Sequence, residues 1–338
     1  MSLMSEASDA RPRATARRGH RSPVVLRWLR RLFTAAGTLL AVSLLVFAAT
    51  TLAPGDAATA RLAGQASPEQ IAELRHSLGL DQPAWERYAR WLWHALQGDL
   101  GTSYANGEPV SGLITERAGN SLLLGAVAAA LLLPLAIGLG LWAGLRAGRA
   151  ADRAVSTTTL ALVSLPEFVT GTLLVLLFAV GLGWLPAVSV PTTGSSPLAQ
   201  PEILVLPVLT LLSVCLAQNV RLVRSGVIAA SASDAAQAAR LGGVPEHRVV
   251  LRWVLPAAVV PAVPVLARYL AYLLGGTMVA ETLFGYPGLA AALVNATAAR
   301  DAPVVLGVTV VVAAMTVVLN LLADLLAAAL NPAARSAT

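Results

Sequence analysis

Glu167 and Arg268 are the charges that fall deepest within the apolar stretches of this chain. A carboxylate or guanidinium at membrane depth is costly to expose to lipid, so such residues face a bundle interior or a water-lined path. At about 1.5 Å per helical residue, both lie near the middle of the bilayer. The guanidinium of Arg268 suits a cargo carboxylate, and it suits a nearby acid such as Glu167 equally well. Two readings therefore stand: the two residues line or gate a path beside the kink at Pro166, or they balance each other structurally. Asn320 and Asp324 are four apart on one helix face, a spacing read as helix-to-helix hydrogen bonding. Gly140 and Gly144 form a G-x-x-x-G read as close packing. Catalytic chemistry is poorly provided for. The four histidines, His20, His76, His94 and His247, lie outside the apolar stretches, and H-E-x-x-H does not occur. All 24 residues counted as Lys+Arg are arginine, which removes a P-loop lysine and Schiff-base chemistry. The single cysteine, Cys215, can build neither an internal disulfide nor a cysteine-based zinc site.

The elements that position these residues follow from hydropathy. The 338 residues are 56% hydrophobic and 12% charged, with a mean hydropathy of +0.69, more apolar than a soluble core requires. A net charge of +6 could suggest nucleic acid, but the arginines cluster at the ends of apolar runs instead of forming a polar groove, so no nucleic-acid partner is expected. A transmembrane helix needs on the order of 20 apolar residues. Six segments qualify: 32–52, 122–145, 154–184, 203–223, 255–280 and 304–330. The third, which contains Pro166, is read as one kinked helix. The first run is too long for a signal-peptide core and is read as a retained span. The fold class expected is an all-α polytopic bundle of six transmembrane helices in membrane lipid.

Arginine asymmetry sets the orientation. The head (1–31), the link with Arg146, Arg149 and Arg153, and the link 224–254 with Arg224, Arg240, Arg248 and Arg252 are arginine-rich and are placed in the cytoplasm. Both termini, including the tail 331–338, are then inside, with TM1 at 32–52 and a core of TM2 to TM6 over 122–330. The segment 53–121 lies outside and is folded. Ser67, Pro68 and Gln70 form a capping-box start and Gly79 a stop. Asp81 and Pro83 open a second helix whose Trp85, Tyr88, Leu92 and Leu96 share a face, suited to the membrane interface or to an ordinary packed hairpin.

The link between spans four and five carries Asp234-Ala-Ala-Gln237-Ala238-Ala239-Arg-Leu-Gly-Gly243 and then Leu255-Pro256. A short alanine-rich helix is narrow enough to enter a groove on another protein, and Gly243 permits a left-handed turn into the next helix, for which Pro245 and Glu246 suit the first turn. This stretch resembles the cytoplasmic signature of binding-protein-dependent ABC importer permeases, with Gln237 where a glutamate is expected. Leu52-Ala-Pro54-Gly55-Asp56, Gly98-Asp99-Leu100-Gly101, Glu281-Thr-Leu-Phe284 with Pro287-Gly288, Arg300-Asp301, and Asn320 to Asp324 ending at Asn331-Pro332 are similar to the dipeptide, oligopeptide and nickel branch, in the subunit type with a long first external loop.

The resemblance implies a permease of the bacterial inner membrane that forms half of a translocation pathway and has no ATPase site of its own. It implies a second homologous permease, two ABC ATPase subunits that bind ATP and Mg, and an extracytoplasmic solute-binding protein, with no cofactor in this chain. Asp234, Gln237, Ala238, Ala239, Gly243, Leu255 and Pro256 would couple to the ATPases. Peptides lead as cargo, with nickel or metal chelates, glutathione and oligosaccharides as alternatives. From hydropathy alone a channel or secondary transporter is the competing class, although inverted repeats are not visible. An intramembrane enzyme fares worse, for want of a catalytic constellation.

Overall fold

The computed structural model describes residues 24–62, 66–192, 197–275 and 277–330. Most of the arginine-rich head and the whole tail 331–338 lie outside these residues. The chain divides into two compact units, Met1–Thr38 and Leu39–Thr338. The described part of the first unit is helical, and its Thr34 hydroxyl returns to the Arg31 carbonyl at 2.8 Å.

Helix α1 is Val24–Leu52, followed by three short helices, α2 Ala57–Leu62, α3 Pro68–Ser77 and α4 Ala84–Leu96. The long helix α5 is Val110–Leu145, α6 is Ala150–Ser164 and α7 is Glu167–Leu174. Then come α8 Glu202–Ser231, α9 Asp234–Leu241, α10 Glu246–Val249, α11 Leu255–Val259 and α12 Val263–Gly275. The chain continues through α13 Met278–Phe284, α14 Leu289–Ala298 and α15 Ala302–Leu330. No β-strand forms among the described residues; one isolated bridge joins Thr102 and Pro109.

Among the described residues four helices are long and apolar enough to cross a membrane, within Leu29–Leu52, Val110–Leu145, Glu202–Ser231 and Ala302–Leu325. The third expected span is not one kinked helix: α6 and the stretch Glu167–Gly181 meet at 112°. Leu165 (φ −96°, ψ 134°) and Pro166 (φ −58°, ψ 145°) are both extended. Proline disfavours the helical conformation of the residue before it, so the helix breaks where a kink alone was expected. The fifth expected span is likewise divided. A π-helical turn Val250–Val254 leads into α11, and a 3-10 turn Val260–Ala262 into α12. Prolines lack the N–H that would continue the ladder, and irregular turns are where the freed groups find partners.

Helix α8 is the central element, with 72% of its apolar window buried against the rest of the chain. Lipid tails are as apolar as leucine, so association here relies on close packing. A Cβ at Gly140 would stand 2.7 Å from Val223 Cβ, and one at Gly144 2.7 Å from Val227 Cβ. The G-x-x-x-G of α5 is therefore the surface on which α8 rests. Beyond Val223, where the expected span ends, α8 continues helically to Ser231.

Candidate functional site

The stretch from Ser231 to Pro256 contains the motif read from sequence. Ser233, which precedes the motif, caps α9 by accepting from Ala236 N–H at 3.4 Å, replacing a helical partner that the first turn lacks. Ala236 is fully buried among Val227, Val249 and Val254, with Ala239 packed alongside, and this fixes α9 to the body of the chain. The other side of α9 is bare. Asp234, Gln237 and Ala238 are exposed, and Leu241 is 89% exposed. Gln237 donates to the Ala232 carbonyl at 3.0 Å.

The helix ends in a double backbone closure. Val244 N–H donates to Ala239 C=O at 3.1 Å and Gly243 N–H to Arg240 C=O at 3.0 Å, with Gly243 at φ +76°. This is the Schellman pattern. Nothing lies within 4 Å of where a Gly243 Cβ would be, so the dihedral and not space selects glycine. Arg240, within the motif but not among the residues assigned to coupling, clasps the turn. Its guanidinium donates to the Ser231 carbonyl at 2.8 Å and to both carboxylate oxygens of Glu246 at 3.0 and 2.8 Å. That contact holds the Glu246 carboxyl below its ordinary range. Glu246 also sits in the first turn of α10, where a negative charge is favoured. Pro245 is the residue just before that helix, while Leu255 and Pro256 open α11 after the π turn.

Of the two readings of the polar residues expected at membrane depth, the mutual pair does not form among the described residues. Glu167 does not pair with Arg268: among the described residues its partner is Tyr272, whose hydroxyl donates at 3.3 Å. The second oxygen of Glu167 is enclosed without a hydrogen-bond partner. Arg268 is exposed, one turn before Tyr272 on α12. Pro166, exposed, forms the corner from which α7 starts, so Glu167 occupies the first position of that helix. The side-chain bond that Asn320 makes among the described residues is a local one: its amide donates back to the Thr316 carbonyl of α15 at 2.9 Å, which competes with the interhelical bond. Asp324 is exposed on the same helix.

Three buried carboxylates carry networks for which the sequence showed only fragments. Asp152 on α6 is held bidentately by Arg224 of α8 and accepts from Gly148 N–H at 2.8 Å. Glu281, fully buried, accepts from the Ser121 hydroxyl at 2.6 Å, from the Thr277 hydroxyl and from Ala290 N–H at 2.7 Å. It thereby supplies from α13 the cap that α14 lacks locally. A Gly288 Cβ would stand 2.2 Å from the carboxyl carbon of Glu281, so space alone demands glycine there. Asp301, two percent exposed, precedes α15 and accepts from the Ser103 hydroxyl at 2.5 Å and from Tyr104 N–H at 3.1 Å. It anchors the 102–109 hairpin to the start of that helix.

In the 53–121 segment the capping box forms as read: Ser67 N–H donates to Gln70 Oε1 at 2.9 Å, and Gln70 N–H to Ser67 Oγ at 3.4 Å. The apolar face of α4 divides. Tyr88 turns to α1, with its ring 5.1 Å from that of Phe47 and its hydroxyl 2.9 Å from that of Ser43. Trp85 and Leu96 stay exposed.

Comparison with known proteins agrees with this architecture. Residues 136–336 match the family described as "Binding-protein-dependent transport system inner membrane component", and residues 25–125 match the family describing the N-terminal part of the membrane component of such systems. The chain is 35% identical over 307 residues to the glutathione transport system permease protein GsiC of Salmonella paratyphi A, covering 91% of this chain and 98% of that one. It is 34% identical, with the same coverage, to a Brucella abortus protein named as a peptide transport system permease.

Proposed function

Because this chain belongs to the family of binding-protein-dependent transport system inner membrane components, we propose that it forms half of a translocation path completed by a second, similar permease chain. It is a permease component of an ABC importer of the bacterial inner membrane and is not itself an ATPase. In the reading proposed here two ATPase subunits, holding ATP and Mg, dock on the cytoplasmic side against α9, and a binding protein delivers cargo outside. The observation that carries this reading is the face of α9. A helix capped by Ser233, anchored through Ala236 and locked by the Arg240–Glu246 pair presents the small Ala238 and the unpartnered Leu241 outward. An exposed apolar residue on a rigid, small-residue helix suits insertion into a groove of another protein. ATP binding and hydrolysis there would move α9 as a lever on α8 and α11 and switch access to the path.

The orientation follows the arginine-rich links, with both termini inside and the 53–121 segment outside. Peptides, glutathione among them, are the proposed cargo, since the relatives' names give peptide and glutathione transport. Glu167, with one enclosed oxygen lacking an acceptor or donor, and exposed Arg268 on α12 are the proposed contacts for the cargo ammonium and carboxylate along the path. Proteoliposomes holding this chain with its partner permease, ATPases and binding protein test the proposal. Uptake of labelled peptide or glutathione that requires ATP inside is expected. Preferential uptake of a nickel chelate or an oligosaccharide would reassign the cargo, and uptake independent of ATP would refute the importer mechanism.

A further inference from the structure

Where α1 ends and α15 begins, a cavity of about 740 Å³ opens between these helices and the α3–α4 hairpin, within the range of small-molecule sites. Its apolar wall is formed by Val46, Phe47 and Ala49 of α1 and by Val305 and Leu306 of α15. Its polar wall carries Arg75, Arg87, Arg300, Trp91 and Tyr104. The carboxylates on the lining are engaged: Asp56 pairs with Arg75 at 2.6 Å, and Asp81 faces His76 Nδ1 at 3.3 Å. Arg87 and Arg300 have no ion pair among the described residues. Arg87 Nε and Trp91 Nε1 are both enclosed and lack any acceptor. Enclosed donors are ordinarily satisfied, and two of them on one cavity, with a second unpaired guanidinium, leave room for an anion's oxygens.

Arg300 adds an independent sign. It closes α14 with the same backbone pattern as Gly243 closes α9: Asp301 N–H donates to Ala296 C=O at 2.9 Å and Arg300 N–H to Thr297 C=O at 3.2 Å. Its φ is +58°, the only positive φ at a non-glycine among the described residues. Gly79 and Gly98 occupy the equivalent place after α3 and α4. A strained conformation kept by a long cationic residue where glycine serves elsewhere points to a use for the side chain. The surroundings indicate what ligand it meets. Trp85 and Trp93 are exposed on α4, as at a membrane–water interface. Leu45 and Leu52 of α1, next in sequence to the lining residues Val46 and Thr51, are exposed and offer apolar surface to lipid.

We propose that this cavity holds the phosphate-bearing head of an anionic phospholipid, with Arg87, Arg300 and Trp91 taking its oxygens and the faces of α1 and α15 taking the start of its acyl chains. The inference rests on α1 and α15 spanning the membrane. It does not depend on which end is outside, because lipid titrated onto the delipidated protein reaches both ends.

Native mass spectrometry tests it, using the full chain with its co-purifying subunits, delipidated and then titrated with phosphatidylglycerol, with phosphatidylcholine of the same chains, or with inorganic phosphate. Wild type retains phosphatidylglycerol over phosphatidylcholine. Arg87→Gln and Arg300→Gly each weaken that retention about tenfold, the loss of one charge-assisted contact, with unchanged elution. Arg300→Gly relieves the left-handed strain, so misfolding would not account for its loss. Arg146→Gln, at the far end of α5, leaves retention as it was. Equal retention of the two lipids, or retention unaffected by both variants, would overturn the proposal. So would displacement of phosphatidylglycerol by inorganic phosphate at equal concentration, which would make this a free-anion site. Lost affinity for the binding protein with lipid retention intact would also overturn it, giving the arginines to a protein partner.

Discussion

Gly243 and Arg300 end two helices with the same pair of backbone bonds and nearly the same left-handed twist, φ +76° and +58°. After α9 the turn is made by the residue that makes it most easily, and what lies outside it is bare: open space at Gly243 and an unpartnered Leu241. After α14 the twist is imposed on an arginine that lines a cavity. The same local geometry thus serves a surface that must stay slim in one place and a side chain that must be aimed in the other. Gly288 is the contrast to both. Its φ of −104° is open to any residue, and it is glycine because the Glu281 carboxylate fills the space beside it.

This contrast predicts effects of different size and sign. Gly288→Ala is the most damaging, because Glu281 is held by Ser121 and Ala290 and cannot swing aside. A loss of about 3 kcal/mol, read as a lowered thermal midpoint in detergent, is expected; a near-wild-type midpoint would show that the network can rearrange. Gly243→Val should cost about 1–2 kcal/mol in the backbone and still leave the protein in the membrane, while ATPase stimulation by loaded binding protein is lost. Gly243→Asn, which tolerates the left-handed turn, should keep most of that stimulation. Arg300→Gly has the opposite sign, a gain of up to about 1 kcal/mol. A destabilised Arg300→Gly would break the comparison.

The smallest effect concerns the clasp over the Gly243 turn. The carboxyl of Glu246 is lowered by Arg240, so the folded form binds its proton less readily than the unfolded one. Its contribution is present at neutral pH and lost as pH falls below the ordinary glutamate range. Glu246→Gln should lower stability slightly at neutral pH, where the pair contributes, and leave it unchanged in acid, so the acid limb of a pH–stability curve flattens by the small amount usual for exposed pairs.

What was legible in the sequence is what the chain decides locally. The capping box at Ser67 and Gln70, the stops at Gly79 and Gly243, and the four long apolar helices all depend on residues within a few turns of one another. The pairs that hold the bundle together are far apart in sequence: Asp152 with Arg224, Ser121 with Glu281, Ser103 with Asp301. Each half had an ordinary alternative on its own. The same distance explains Glu167, whose partner Tyr272 is a polar aromatic with no charge to mark it, while Arg268 drew attention by its charge. The 112° corner needs two residues together: Leu165, before Pro166, also leaves the helical region.

In the proposed function α9 is where the ATPase grips this chain. Cysteines placed singly at Ala238 and at Ala105 in a Cys215→Ala background, followed by a bifunctional thiol reagent in membranes holding the whole transporter, test it most directly. Ala238→Cys should cross-link to the ATPase subunit, with a yield that changes when ATP is added, and should be shielded from an impermeant thiol reagent in intact cells. Ala105→Cys should react with that reagent from outside and give no ATPase cross-link. An Ala238→Cys chain that is labelled from outside, or that never cross-links to an ATPase, would contradict the account.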